Sequence, residues 1–264
     1  MDLLKNHKTI RKYSSQKIEE PVLNELLECA ARASNTGNMQ TYSIVVTTDA
    51  ELKSKLAPCH FNQKMVVDAP AVLTFCADFN RFNKWCEQRN AVPGYDNFLS
   101  FSSAMIDAML AAQNFCIAAE HKGLGICYLG TTTYTADKII EILNLPKFVV
   151  PITTVTVGYP SEIPDFQEDR LPLKGIVHYE TYKDYSPSAI DEIYREKEAL
   201  ESTAKFIEEN NKETLAQIFT DIRYTKQNNR HFSKVFLDVL EKQGFLEMPI
   251  KKNANDTNDT NLRK

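Results

Sequence analysis

The sequence predicts an α+β sandwich, a sheet of four or five strands covered by helices and continued by a helical C-terminal extension. Three observations lead there. Short runs rich in β-branched residues alternate with helical patterns up to Gly158. One stretch, from about Asp96 to His121, contains no glycine or proline and repeats its apolar residues at helical spacing. From about Ser186 the chain becomes helical in pattern and heavily charged.

The elements follow in order. Glu19-Glu20-Pro21 opens a helix, with acids at its start and proline in its first turn. Asn35-Thr36-Gly37-Asn38 breaks it. Tyr42–Thr47 reads as a strand, and Val72–Ala77 as a second one buried on both faces. In the long helix, Met105, Ala108, Met109, Ala112, Phe115, Cys116 and Ala119 form one stripe. Its small residues suit a central core helix or a subunit interface, and pattern alone leaves both open. Gly123-Leu124-Gly125 ends that helix. Ile126–Leu129 is a strand, Ala136–Leu143 a short helix, and Val149–Val157 a strand closed by Gly158-Tyr159-Pro160. Residues 251–264 are polar and low in complexity, so a disordered tail is expected.

Composition narrows the function. With 43% hydrophobic and 25% charged residues, the chain reads as an ordinary globular protein. A net charge of −4 argues against general nucleic-acid binding. The first residues turn basic without an apolar stretch, and the apolar runs are short, so a cytoplasmic protein with no membrane association is expected. The six cysteines form no C-x-x-C and suit reduced core thiols. The five histidines show no zinc-ligand spacing, so no metal is expected. G-x-G-x-x-G, Walker A and G-x-S-x-G are all missing from the sequence. Redox chemistry would therefore have to come from a cofactor.

Four groups of residues bear on that cofactor. His7-Lys8-Thr9-Ile10-Arg11 crowds cations and a hydroxyl into a short piece; alternation would send His7, Thr9 and Arg11 to one side. The same cluster also reads as a solvated basic arm. Ser34 to Gln40 is a loop rich in amides and hydroxyls that suits a heteroaromatic polar edge, or simply ends a helix. Gly123, Gly125 and Gly130 flank a strand and permit close approach of a flat ligand, although C-capping explains the first two. Arg170 follows the last strand in a loop where an anion, or only water, would be met.

In this order the four groups resemble the nitroreductase family, especially its longer branch of NADPH-dependent nitro- and flavin reductases. His7-Lys8-Thr9-x-Arg11 resembles the family's R-R-S-x-R element, and Asn35 to Tyr42 its S-S-x-N-x-Q-P-W loop. Ala111-Ala112-Gln113-Asn114 and Gly123-Leu124-Gly125 are similar to its central helix and exit, and Phe75 to Arg81 to the longer branch in particular. The likeness covers about residues 5–180 and returns weakly at Phe236–Phe245.

The resemblance implies a nitroreductase-like sandwich with a central mixed or antiparallel sheet. Residues 1–180 would form an FMN-binding core and 181–250 a helical extension of the same domain. It implies a homodimer with FMN at the interface. His7, Lys8 and Arg170 would meet the FMN phosphate, while Thr9 and Arg11 approach the pyrimidine edge of the ring. Gln63 would hydrogen-bond the ring; Tyr128, Leu129 and Gly130 would pack near it. Asn35, Thr36 and Asn38 would come from the partner subunit. Two departures stand out. Gln167-Glu168-Asp169 precedes Arg170 where the family often has a lysine, and Thr41 replaces the usual proline.

The expected activity is hydride transfer from NADPH, or NADH, through FMN to flat electron-poor acceptors such as nitroaromatics, quinones or flavins. One shared site implies ping-pong kinetics, with Arg11 as the candidate catalytic cation. Arg223, Lys226 and Arg230 read as a basic helical stretch suited to a 2′-phosphate, or to solvent. The alternatives are another FMN reaction such as dehalogenation or azo reduction, shaped by a lid between Arg81 and Asn97; a flavin-binding sensor or storage module; and a cofactor-free helical interaction protein built on residues 186–250.

Overall fold

In the computed structural model, which describes residues 1–246, the chain divides into two compact units. The larger holds Thr9–Glu162 and the stretch from Val235; the smaller holds Met1–Lys8 and Ile163–Lys234. The tail expected at 251–264 lies outside the described residues. Along the chain run α1 (Asp2–Lys5), α2 (Glu20–Ala31), β1 (Tyr42–Thr47), α3 (Ala50–Leu56), α4 (Met65–Asp68), β2 (Ala71–Asp78), α5 (Asn80–Glu87), α6 (Phe98–His121), β3 (Gly125–Leu129), α7 (Ala136–Leu143), β4 (Val149–Gly158), α8 (Pro187–Glu198), α9 (Glu201–Glu209), α10 (Leu215–Ile218) and α11 (Lys226–Gln243).

The larger unit is built on a four-stranded sheet of order β1-β2-β4-β3. Every pairing is antiparallel. The two central strands, β2 and β4, are buried along their whole length, which is why they read as continuous apolar or β-branched runs. Pro151 sits in central β4 and has no N–H to donate. The register slips there: Phe75 faces Thr153 while Cys76 faces Pro151. A bulge is where a sheet tolerates proline.

Alternation sends Leu73, Phe75, Ala77, Ile126 and Val155 to one face of the sheet, against α6. Val72, Cys127 and Leu129 point to the other, against Leu56, Val66 and Ile139. Helix α6 starts where the Asn97 side chain accepts the Ser100 amide hydrogen at 3.0 Å. Ala104, Ala108, Ala111, Ala112 and Ala119 are fully buried. Their small side chains let α6 sit close on the sheet. This refines the stripe read from sequence, since Met109 is 40% exposed. The alanine stripe serves the subunit's own core. A separate apolar face, Leu99, Ile106, Met109 and Leu110, is left exposed. By length and composition α6 is apolar enough to cross a membrane, though 44% of that window is buried in this fold.

A third feature fixes the segment before α2. The Ile10 amide donates to the Ile126 carbonyl at 2.9 Å, and Ile10 is buried. A Cβ on Gly125 would collide with three Ile10 side-chain carbons. Gly125 is thus small to admit Ile10, not a flat ligand. Gly125→Ala should overpack this contact at a cost of about 1–3 kcal/mol. Thermal unfolding would show it as a lowered Tm; an unchanged Tm would refute the contact's importance.

In the smaller unit, α8 begins at Pro187, with Ser186 Oγ accepting from the Ala189 amide. Helix α10 carries a full capping box between Thr214 and Gln217. Ile193, Leu215 and Ile218 are buried. Arg223 belongs to a π-helical turn, Phe219–Arg223, that ends before α11 starts. The basic stretch Arg223, Lys226, Arg230 is therefore not one helix: Tyr224 breaks it with a non-helical backbone, φ −128° and ψ 58°. Arg223 lies 4.5 Å above the Phe206 ring.

Candidate functional site

In the larger unit Arg11, Lys12, Tyr13, Gln63, Lys64 and Ser161 line a cleft of 580 Å³. Its walls come from two places. The first is the segment hydrogen-bonded to β3 through Ile10. There Ile10 is buried while Thr9 is half-buried and Arg11 exposed, as alternation requires. Tyr13 anchors the end of the segment: its hydroxyl lies 2.8 Å from Thr156 Oγ1 and donates to the Ile10 carbonyl at 2.9 Å. Burial raises the Tyr13 phenol well above its ordinary range. Arg11 reaches the Cys127 sulfur; burial pushes that thiol up, and the guanidinium opposes the shift.

The second wall follows a turn at 57–63. A 3₁₀ turn, Ala57–His60, is followed by two left-handed residues, Phe61 (φ 53°) and Asn62 (φ 55°). A left-handed phenylalanine is costly. The turn persists because the Asn62 amide donates to Ala57 O and the Gln63 amide to His60 O, at 2.9 and 3.1 Å. This delivers Gln63 to the cleft. The acid in the cleft, Asp68, is paired with Lys64 at 2.5 Å.

His60 sits beneath this turn with no solvent exposure. Its Nδ1 lies 2.9 Å from Thr131 Oγ1, and its Nε2 has no partner among the described residues. Desolvation lowers its pKa from 6.5 to about 4. The unfolded chain therefore binds the proton more tightly. Stability should be full above pH 6.5 and fall as pH drops from there towards 4. At pH 5 the loss relative to pH 7.5 should be about 2 kcal/mol. Urea unfolding at the two pH values, compared with His60→Gln, measures it; an identical pH dependence in the variant would remove His60 as the cause.

The remaining expected site residues are placed as follows. Tyr128 and Leu129 lie on β3. The Tyr128 hydroxyl donates to Gln113 Oε1 at 3.3 Å. It also bonds the Cys116 thiol, which burial pushes up to about 12. Gly130 follows, exposed, with open space where a Cβ would stand. Asn35 and Asn38 line a second opening of 630 Å³, with Cys29, Arg32 and Gln40. Asn35 Oδ1 accepts the Gln40 amide at 3.2 Å and Asn38 Oδ1 the Gln40 side-chain amide at 3.3 Å. Much of their polarity thus shapes the loop itself.

His7, Lys8 and Arg170 belong to the smaller unit. Lys8 Nζ donates to the Pro164 carbonyl at 2.6 Å. Gln167 donates its side-chain amide to the carbonyls of Lys5 and His7. So one residue of the departure from the family pattern ties down the N-terminal segment. Asp169 is paired with Lys197 at 2.7 Å, which neutralises one of the two acids beside Arg170. Arg170 itself is exposed and donates to the carbonyls of Glu168 and Asp169.

Two residues escaped the sequence reading. His60 gave no signal beyond a lone histidine. Asp107 had one: it is the single charge between Phe98 and Ala119 in an apolar helix, and a buried charge needs partners.

The Nitroreductase family model matches residues 4–159. An FMN reductase (NADPH) from Bacillus subtilis is 34% identical over 69% of this chain and 74% of its own length. A solved structure from Bacteroides fragilis NCTC 9343 superposes with TM-score 0.92 at 58% identity, covering 94% of this chain and 100% of that one. NfrA1 nitroreductase from B. subtilis superposes with TM-score 0.82 at 28% identity, covering 92% and 98%. The chain belongs to the nitroreductase family.

Proposed function

We propose that the protein is an NAD(P)H-dependent oxidoreductase that uses FMN and reduces flat, electron-poor acceptors such as nitroaromatics, quinones or flavins. The carrying observation is that Arg11 and Gln63, distant in sequence, line one cleft. Its 580 Å³ falls in the usual range for small-molecule sites, about 300–1,000 Å³. Its donors are a guanidinium, an amide and two ammonium groups, the latter paired with carboxylates, Lys12 with Glu162 and Lys64 with Asp68. Such a set fits the acceptor-rich edge of a flavin ring. The names of the family relatives, an FMN reductase and a nitroreductase, support the same reading.

When bound, FMN supplies the centre that takes hydride from NAD(P)H and gives electrons to the acceptor. Arg11 would hold a fixed positive charge at the pyrimidine edge, where negative charge grows during reduction. A charge already fixed in place costs no reorganisation at the moment of reaction. Thr9 and Gln63 would donate hydrogen bonds to the same ring. Gly130, exposed and with open space at its Cα, would let the ring approach the backbone at the end of β3, where Tyr128 and Leu129 would contribute main chain only. His7, Lys8 and Arg170 would neutralise the phosphate. Asn35, Thr36 and Asn38 would reach the ring of the partner subunit in a homodimer. The exposed face Leu99, Ile106, Met109 and Leu110 supports that assembly, since isolated subunits seldom leave such a patch to water. A cytoplasmic setting suits the free cysteines, five of them buried.

One site for donor and acceptor requires that the first product leave before the second substrate enters. Initial rates at varied NADPH and varied acceptor should give parallel double-reciprocal lines. Intersecting lines would mean both bind together and would overturn the single-site mechanism.

A further inference from the structure

We propose that Asp107 is a positioning residue: its carboxylate, buried in α6, sets the shape of the 35–41 loop that presents Asn35, Thr36 and Asn38 to the flavin. The inference rests on the reading above, in which that loop contacts FMN.

Asp107 is 1% exposed. Such a carboxylate is stable only if its lone pairs are filled. Among the described residues, its donors come from the two ends of the loop. Oδ1 accepts from the Thr36 amide at 2.9 Å and the Thr36 hydroxyl at 3.1 Å. Oδ2 accepts from the Thr41 amide at 3.2 Å and the Thr41 hydroxyl at 2.8 Å. One side chain thus clamps both ends of the loop to a rigid core helix.

The loop needs a clamp. Gly37, Asn38 and Gln40 all have positive φ, at 58°, 55° and 53°. Two of these are not glycine, and left-handed backbone costs each of them energy. Arg81 adds a second hold, donating to the carbonyls of Tyr42 and Gln40. The clamp also explains a departure from the family pattern. Thr41 is fully buried and supplies two of the four donors; a proline there supplies none.

The test uses the full-length protein. Asp107→Asn keeps the volume but turns one acceptor into a donor, so one threonine amide must face an amide nitrogen however the side chain flips. Thr41→Val is milder: it removes one hydroxyl donor at a site buried away from any ligand. Three quantities are read: amide exchange at residues 36 and 41 without FMN, the FMN dissociation constant, and the visible spectrum of bound FMN. Faster exchange at both amides, FMN binding weakened about tenfold in Asp107→Asn and less in Thr41→Val, and a shifted flavin band would support the proposal. Unchanged FMN affinity and spectrum despite faster exchange would overturn it: Asp107 would then be only a fold residue. Wild-type protein that binds no FMN would instead overturn the functional reading on which the proposal rests. If Asp107→Asn does not fold, Thr41→Val decides alone, and wild-type affinity with wild-type spectrum in that variant overturns the proposal.

Discussion

Arg11→Gln should slow the reduction of bound FMN by NADPH about 10²–10³-fold, the usual cost of deleting one preorganised charge-stabilising group. The side chain is exposed apart from its bond to the Cys127 sulfur, so stability should change by no more than about 1 kcal/mol. Glutamine keeps a hydrogen-bond donor but loses the charge, which isolates the electrostatic part. Stopped-flow reduction under anaerobic conditions reads the step directly. Steady-state turnover should fall less if acceptor reduction limits it. A reductive rate within about twofold of wild type would show that Arg11 does not act at the transition state.

The second large effect concerns assembly. Ile106 is 54% exposed and Leu110 42% exposed on the outward face of α6. Each is already about half buried in the subunit, so covering the rest of it in the proposed dimer would contribute about 1 kcal/mol. Ile106→Arg replaces that gain with a buried, unpaired charge, so dimer dissociation should rise at least about a hundredfold. The isolated subunit should fold normally, because position 106 faces solvent within it. FMN affinity should fall together with dimerisation, since three of the proposed contacts come from the partner. Sedimentation with a parallel FMN titration tests both. A monomer that binds FMN as tightly as wild type would show that each subunit holds its cofactor alone.

Much of the sheet was legible because its strands carry the signals that physics makes strong. Val72–Ala77 and Val149–Val157 are apolar or β-branched since both faces are covered, and both are strands, one residue longer at one or both ends. Ala136–Leu143 matched to the residue. The helices α3 and α5 were not foreseen. Each is short; α3 buries only Lys53 and Leu56, and α5 only Asn83 and Cys86, too few for a periodic pattern. The start of the expected lid is therefore helix α5, beside the stacked rings of Phe79 and Tyr95 at 4.7 Å.

The candidate site was legible where it rests on local chemistry. Alternation about Ile10 placed Thr9 and Arg11 correctly relative to the buried position between them. Gly125 was misread because its small size answers to Ile10, and no local pattern reveals a neighbour more than a hundred residues away. Asp107 was missed for the same reason: its partners, Thr36 and Thr41, lie far off in sequence. The stripe on α6 was read in the right register, but a single periodicity could not separate the face that meets the sheet from the face left outside.

The most direct test of the account is the visible spectrum of the purified protein during anaerobic titration with NADPH. An oxidised-flavin absorption should bleach on NADPH addition and return when a nitroaromatic or quinone is added. A protein that stays colourless after incubation with FMN, or a flavin absorption that neither NADPH nor NADH changes, would contradict it.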